Sequence, residues 1–279
     1  LVIFGVMLLP VMLLSLVAAI LLGPQSPALI TLQAVIYAGF FLLYGVATHR
    51  AQRYRLSRTR WRGIRGSLEG SAWRYGFAHF WTALLIPPTL GGIMPWRSTY
   101  LQRLITEDMR FGNRTFTFTA GAGPLYPRFV LVWLATAIIG IVAISAASSI
   151  AVTGLMIADP TSPRGFNFSP VAVAALIMIA LAAYLAYALV SAWYRASQIR
   201  HFAAHTHVAG ATFTSTVSGG GLIWLTLTNF LIVLLSLGLL APIAQARAAR
   251  YFVGHLSIEG AVALSTIGPG THDDLSRGE

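Results

Sequence analysis

Three histidines, His201, His205 and His207, lie close together in the second half of the chain. Histidines four residues apart share one face of a helix and can bind the same zinc ion. No glutamate accompanies them in the HExxH arrangement of zinc hydrolases. His205 and His207 also stand 147 residues after Arg58 and Arg60. We therefore interpret the cluster as basic side chains at a membrane interface, and we predict no bound metal and no cofactor.

Arginine supplies every basic side chain, because the chain has 19 arginines, no lysine and only eight acidic residues. Three pairs are spaced three or four residues apart, so that on a helix each pair would share one face. Guanidinium groups fit the phosphate of an anionic lipid, and each basic side chain near such a surface contributes about 1 kcal/mol. The alternative is that the arginines only fix the topology. The pairs are Arg50 and Arg53, Arg58 and Arg62, and Arg247 and Arg250, and the predicted head-group sites are Arg50, Arg53, Arg58, Arg62, Arg103, Arg200, Arg247 and Arg250.

Acid–base chemistry has little support in the sequence. All eight acidic residues lie outside the apolar segments, whereas proton-coupled transporters usually carry a carboxylate inside the membrane. Glu107 and Asp108 lie in a basic segment, where we expect Arg103 and Arg110 to pair with them. His79 is the ionisable group that we expect at membrane depth. No nucleotide-binding or serine-nucleophile motif is present, so we predict that the protein is not an enzyme.

These side chains belong to a strongly apolar chain. Of its 279 residues, 56% are hydrophobic and 10% are charged, whereas soluble domains carry about 25% charged residues. Four segments are long and apolar enough to cross a bilayer. The arginine-rich segments between them all fall on one side, which the positive-inside rule makes cytoplasmic. The net charge of +11 therefore points to anionic lipid rather than to nucleic acid. The predicted spans are residues 1–22, 29–48, 129–157 and 170–194.

Two further apolar segments, residues 74–96 and 222–241, are interrupted. Proline and glycine break the first, and Leu237-Gly238 breaks the second. Arginine-rich sequence flanks the first segment on both sides, so a full crossing would place one basic cluster outside the cell. A re-entrant pair of half-helices would return both flanks to the cytoplasm, and broken helices are tolerated where protein buries them. We favour re-entry, with full crossing as the alternative.

A shift of 147 residues aligns the two halves of the chain without a gap. It places Leu90-Gly91 on Leu237-Gly238 and Pro95 on Pro242. The alignment predicts an all-α polytopic membrane protein with four full transmembrane helices and two broken or re-entrant segments in two tandem pseudo-repeats.

Short β-containing cytoplasmic units join the predicted helices. Alternating polar and apolar residues at Thr115–Phe118 and a similar segment at Thr212–Val217 predict strands. The predicted organisation is a first transmembrane pair at 1–48, a basic unit, broken segment and basic unit at 49–128, a second transmembrane pair at 129–194, a second basic unit, broken segment and basic unit at 195–265, and a disordered tail at 266–279.

Four stretches resemble the YjgN family of bacterial inner-membrane proteins, which has no established function. They lie within Thr59–Gly70, Thr89–Trp96, Arg110–Phe118 and Leu237–Ser257. The resemblance covers residues 45–260 and implies a bacterial inner-membrane location, but no catalytic residues. Family members begin with one more broken segment and basic unit, so the abrupt start at Leu1 predicts that an N-terminal unit is missing.

The leading functional hypothesis is a non-enzymatic structural or interaction protein of the inner (cytoplasmic) membrane. It would be an accessory subunit or scaffold with cytoplasmic arginine-rich loops and a cytoplasmic C-terminus. Its partners would be anionic phospholipid and other membrane protein subunits, with no nucleic acid. The alternative is a transporter or lipid-handling protein with a pathway between the two broken segments, because interrupted segments at matching positions mark substrate sites in secondary transporters.

Overall fold

A computed structural model describes residues 26–61, 64–157 and 170–260 of the chain. The predicted span 1–22, the predicted outer loop at 159–164, the predicted tail 266–279 and Arg62 lie outside these residues. The described chain divides into two compact units, one up to Phe116 and the other from Thr117 onward.

The first unit contains a long helix, a helical hairpin and an antiparallel strand meander. Strand β1 pairs with β2, β2 with β3, and β3 with β4, each antiparallel. The elements are α1 (Pro27–Arg58), β1 (Arg60–Trp61), β2 (Ile64–Leu68), α2 (Ala72–Leu84), α3 (Met94–Asp108), β3 (Met109–Phe111) and β4 (Arg114–Phe118), of which β4 ends two residues into the second unit.

The second unit contains two long helices, a second hairpin and three further strands. Strand β5 pairs with β6 and β6 with β7, again antiparallel. After a 3₁₀ turn at Gly123–Leu125, the elements are α4 (Tyr126–Ile157), α5 (Pro170–Ala204), β5 (Thr206–Val208), β6 (Ala211–Ser215), α6 (Gly219–Leu235), α7 (Ala241–Gly254) and β7 (Leu256–Glu259).

Three of the described helices, α1, α4 and α5, are long and apolar enough to cross a membrane. A crossing needs about 20 apolar residues, and these helices contain 32, 32 and 35 residues. The predicted spans at 29–48, 129–157 and 170–194 are therefore confirmed as helices of sufficient length. Helix α1 also continues through the basic segment as far as Arg58.

Serine side chains begin three of the helices. Ser26 accepts a hydrogen bond from the amide of Leu29, and Pro27 takes the first helical position, where its missing amide costs nothing. Ser71 caps α2 and Ser218 caps α6 in the same way, each accepting from the amide three residues later. These caps fix where each hairpin starts.

The two predicted breaks are tight turns that reverse the chain direction. Leu90 and Leu237 have φ angles of 48° and 50°, and the glycine after each is also left-handed. A leucine in this region costs about 1–2 kcal/mol, and a short backbone hydrogen bond from the following glycine helps to compensate at each turn. The amide of Gly91 donates to the Ile86 carbonyl, and the amide of Gly238 donates to the Val233 carbonyl, both at 2.8 Å.

Side-chain contacts establish that each pair of helices folds back on itself. Trp81 near the end of α2 contacts Tyr100 in α3, with ring centroids 6.2 Å apart. Arg74 at the start of α2 reaches Asp108 at the end of α3. In the second hairpin, Asn229 donates to the Ala244 carbonyl at 3.1 Å. The interruptions are therefore the turns of two helical hairpins. In each hairpin, the start of the first helix and the end of the second helix lie on the side away from the turn.

The predicted strands are confirmed at β4 and β6. Within the region 49–128, residues 94–108 form helix α3 before the strands β3 and β4. Each unit has its own apolar core between the long helix, the strands and the hairpin. The buried residues are Leu68, Tyr75, Ala78, Leu101 and Ile105 in the first unit, and Ala192, Ala196, Val217, Leu222 and Leu225 in the second.

Candidate functional site

Arg53 and Arg200, both predicted head-group ligands, bind backbone carbonyls instead. Arg53 donates to the carbonyl oxygens of Leu68, at 2.8 Å, and Gly70, at 2.6 Å. Arg200 donates to the carbonyl of Val217. These carbonyls lie at the connection between a strand and the first hairpin helix. The two arginines therefore hold the base of each hairpin in place.

The other predicted head-group arginines occupy varied environments. Arg50 on α1, Arg103 on α3 and Arg250 on α7 are exposed. Arg247 is half-buried, and its guanidinium donates to the hydroxyl of Thr228 at 3.2 Å. Three of these four arginines are therefore exposed, and Arg247 contributes to the packing of the second hairpin.

The helix that was expected to carry Arg58 and Arg62 ends at Arg58, and Arg62 lies outside the described residues. Thr59 is already extended, with a ψ angle of 120°. The chain then enters β1. The guanidinium of Arg58 lies 5.2 Å from the ring centroid of Tyr54.

The acidic side chains form ion pairs at the base of the first hairpin. Asp108 pairs with Arg74 at 3.3 Å, and Glu69 pairs with Arg110 at 3.0 Å. The expectation that Asp108 would pair with Arg103 or Arg110 was therefore wrong, because the hairpin brings the start of α2 to the end of α3. Both acids have a structural role in these contacts.

The histidine cluster forms hydrogen bonds with protein groups. The rings of His201 and His205 lie 4.4 Å apart, but His201 Nε2 is 2.8 Å from the Gly121 carbonyl oxygen and His205 Nδ1 is 2.8 Å from that of His201. His207 Nδ1 contacts the Thr212 hydroxyl at 2.9 Å. Within residues 26–61, 64–157 and 170–260, no group of three or more potential ligands is arranged to hold a metal ion.

In the first unit, helices α1 and α2 touch through glycine. A Cβ atom at Gly45 would lie 2.9 Å from the Cα of Gly76 and 2.8 Å from the Cβ of His79. A Cβ atom at Gly76 would lie 2.5 Å from a methyl group of Val46. Small residues of this kind allow two helix backbones to approach closely. We call this contact the α1–α2 seam.

Histidine and tyrosine rings fill the α1–α2 seam. His49 is fully buried, and neither of its ring nitrogens has a hydrogen-bond partner. Its ring centroid lies 5.8 Å from that of Tyr75, and Tyr44 contacts His79 at 5.4 Å. These contacts make the α1–α2 seam a closed space lined by aromatic and imidazole rings.

Arg97 lies half-buried near the turn of the first hairpin. Its Nε donates to the Thr82 hydroxyl at 3.2 Å, and a terminal nitrogen lies 3.5 Å from the His79 carbonyl oxygen. Position 244, 147 residues later, is a buried alanine. The cation therefore ties α2 to α3, and in the second hairpin Arg247 makes the comparable contact to the Thr228 hydroxyl from a different position on its helix.

In the second unit, a groove opens between α5 and α6. One section has a volume of about 580 Å³ and extends to Leu237 and Gly238 at the hairpin turn. The adjoining section has a volume of about 260 Å³ and extends to Arg195. Both sections share four wall residues, Tyr184, Ala188, Thr226 and Asn229. We call this space the α5–α6 groove.

Neither the seam nor the groove is apparent from the sequence. The predicted head-group arginines are spaced three or four residues apart or have a basic residue 147 positions away, whereas Arg195 has no such neighbour and has the uncharged Thr48 at that distance. Gly45 and Gly76 are 31 residues apart, so no local motif joins them. Only the packing of two helices brings either set of residues together.

Comparison with known proteins identifies the family of the chain but no activity. No curated protein and no solved structure matches it. A family model described as a bacterial protein of unknown function, DUF898, matches residues 3–278, which is nearly the whole chain. This is the family that the sequence motifs resemble. The apolar helices are those expected of a membrane protein. The chain therefore belongs to the DUF898, or YjgN-like, family of bacterial proteins of unknown function.

Proposed function

We propose that the protein is a non-enzymatic scaffold of the bacterial inner membrane, with two hairpins that enter the bilayer from the cytoplasmic side. The supporting observation is the separation of exposed apolar and basic side chains along each hairpin. Leu90 and Leu237 at the turns are 75% and 92% exposed. Leu235 and Leu239, which flank the second turn, are more than 80% exposed. Exposed leucines at both turns favour insertion into acyl chains.

The bases of the hairpins have the opposite character. Arg103 and Arg250 lie on the returning helices α3 and α7, and both are exposed. A hairpin with an apolar turn and a basic base matches a leaflet with acyl chains inside and anionic head groups outside. Helix α2 has 13 residues, which is about 20 Å and too short to cross the hydrocarbon core of about 30 Å. These dimensions favour re-entry over full crossing.

We further propose that the two units arose as tandem copies. Each hairpin has a serine cap, a left-handed leucine–glycine pair and an arginine bound to a carbonyl at its base. These features are 147 residues apart in every case. Each unit would then offer a similar arginine-rich face to anionic lipid and to partner membrane subunits. We favour this accessory role over a transporter because the exposed charge lies at the bases of the hairpins.

The sidedness of the hairpin flanks tests this proposal. The chain has no cysteine, so single cysteines can be introduced without background. Ser57 precedes the first hairpin and Glu107 ends it, and both are exposed. We expect Ser57→Cys and Glu107→Cys to react with a membrane-impermeant maleimide in inside-out vesicles and to be protected in intact spheroplasts. Labelling of the two positions from opposite sides would contradict re-entry.

A control in the second hairpin extends the test. Ser257 follows α7 and is exposed, so Ser257→Cys should label from the same side as Glu107→Cys. Lipid analysis of the protein purified in mild detergent should then give an excess of anionic over zwitterionic phospholipid. Equal retention of both lipid classes would contradict the anionic-lipid part of the proposal.

A further inference from the structure

We propose that the α5–α6 groove is a binding site for one anionic phospholipid, with its phosphate at Arg195 and an acyl chain directed toward Leu237. The site rests on the membrane placement proposed above, because the groove must meet the bilayer for a lipid to enter. It adds to that placement a single bound lipid, which differs from a diffuse layer of lipids along the basic face.

The polarity of the groove changes along its length. At the hairpin turn its walls are apolar and include Leu181, Phe230 and Val233. At the other end the walls include Tyr187, Ser191 and Arg195. No acidic residue lines either section. An amphiphile with an anionic head and an apolar tail matches this order.

The length of the groove also fits a lipid. The wall formed by α5 runs from Leu181 to Ile199, and Arg195 lies one helical turn before Ile199, 14 residues from Leu181. Fourteen residues of helix extend about 21 Å. One leaflet, including its head groups, is about half of a total bilayer thickness of about 40–45 Å. A phospholipid with its phosphate at Arg195 therefore reaches the hairpin turn with its acyl chain.

Arg195 is available to a ligand. Its side chain is exposed, and no acidic residue is among those that line the groove beside it. This differs from Arg200, five residues later, which is bound to a carbonyl. The charge of Arg195 thus lacks a compensating carboxylate at the mouth of the groove.

A second polar atom lies where the two sections of the groove meet. Asn229 donates to the Ala244 carbonyl through its amide nitrogen, which fixes the orientation of the amide. Its Oδ1 is buried and has no hydrogen-bond partner. Buried polar atoms in proteins are normally paired. A water molecule enclosed at the junction beneath a bound lipid would satisfy this acceptor.

Competition between two defined lipids tests the site. Full-length protein is delipidated in dodecyl maltoside and titrated with palmitoyl-oleoyl phosphatidylglycerol or the corresponding phosphatidylcholine, and bound lipids are counted by native mass spectrometry. We expect one phosphatidylglycerol to bind more tightly than phosphatidylcholine. Arg195→Thr, which introduces the residue found at position 48, should weaken phosphatidylglycerol about fivefold, as expected for the loss of about 1 kcal/mol. Unchanged affinity would overturn the role of Arg195.

Variants that fill the groove with a large side chain form the second part of the experiment. Ala188 lies in the wall of both sections, so Ala188→Trp should reduce binding of the first lipid at least tenfold. Ala182, also on α5, is exposed and lies outside the groove, so Ala182→Trp should bind as the wild type does. Equal binding by the two tryptophan variants would overturn the site. Arg250→Thr should leave the first lipid bound, since Arg250 lies outside the groove walls.

The outcomes separate this site from the membrane placement. If Ala188→Trp loses the lipid but the hairpin flanks label from opposite sides, the groove stands and re-entry is wrong. If the flanks label as proposed but both tryptophan variants retain the lipid, re-entry stands and the groove site is wrong.

Discussion

The α1–α2 seam and the α5–α6 groove occupy corresponding places in the two units and have opposite character. Gly45 and Gly76 allow α1 and α2 to touch. The positions 147 residues later are Ala192 and Ile223, and near them the second unit opens into a groove. Side-chain volume at the helix contact thus decides whether the space between two helices is closed or available to a ligand.

The residues around these contacts differ in the same direction. Tyr44, His49 and His79 fill the first unit, whereas Ser191, Ala196 and Thr226 stand at the positions 147 residues later. The first unit therefore has large polar rings at positions where the second unit has small side chains. The contrast indicates that a common architecture serves packing in the first unit and binding in the second.

The comparison predicts that the α1–α2 seam will not accept a methyl group. Gly45→Ala places a Cβ against backbone and side-chain atoms that cannot easily move, and overpacking of this kind costs about 1–3 kcal/mol. We expect a clear fall in the thermal unfolding midpoint measured by circular dichroism in dodecyl maltoside. Gly39→Ala on the same helix is the matched control, because a Cβ there meets open space. Equal midpoints for the two variants would contradict the close contact.

The second prediction concerns a feature that the units share. Arg53→Ala and Arg200→Ala each remove the hydrogen bonds that hold the base of a hairpin. Because Arg53 is exposed, we discount the usual strength of charged hydrogen bonds and expect a loss of about 1 kcal/mol for each variant. The thermal unfolding midpoints of both variants should fall by similar amounts, whereas the midpoint of Arg50→Ala should equal that of the wild type. A loss confined to one hairpin would break the proposed equivalence.

The third prediction reverses the first in the second unit. Ala192→Gly introduces the residue found at position 45, and glycine inside a helix costs about 0.5–1 kcal/mol relative to alanine. Ala192 is also buried, so we expect a small fall in the unfolding midpoint from this propensity loss and from one lost methyl group, which contributes about 0.8 kcal/mol. A raised midpoint would mean that the alanine methyl strains a contact as tight as the one at Gly45.

Local patterns predicted much of the fold. Apolar length predicted three of the helices, alternation predicted β4 and β6, and the leucine–glycine pairs marked both hairpin turns. Spacing alone failed at Arg58, because it could not reveal that Thr59 ends the helix. It also failed for the ion pair of Asp108, which depends on the reversal of the chain within the hairpin.

The candidate sites were harder to predict than the elements that carry them. A groove is a space between two helices, and its volume depends on how closely they approach. Gly45 and Gly76 are far apart in sequence. Arg195 becomes a candidate phosphate ligand only because the folded chain places an apolar groove beside it. The arginine-rich segments could be identified from the sequence, but the importance of Arg195 at the groove could not.

The depth of the hairpin turns in a bilayer tests the central claim most directly. Nitroxides introduced through Leu90→Cys and Leu237→Cys, in nanodiscs containing phosphatidylglycerol, can be compared for collision with oxygen and with a water-soluble nickel chelate. We predict that the nitroxides at both turns collide with oxygen far more often than with the nickel chelate, while a nitroxide at Ser257→Cys collides mainly with the nickel chelate. Turns that are freely accessible to nickel would contradict the insertion of the hairpins.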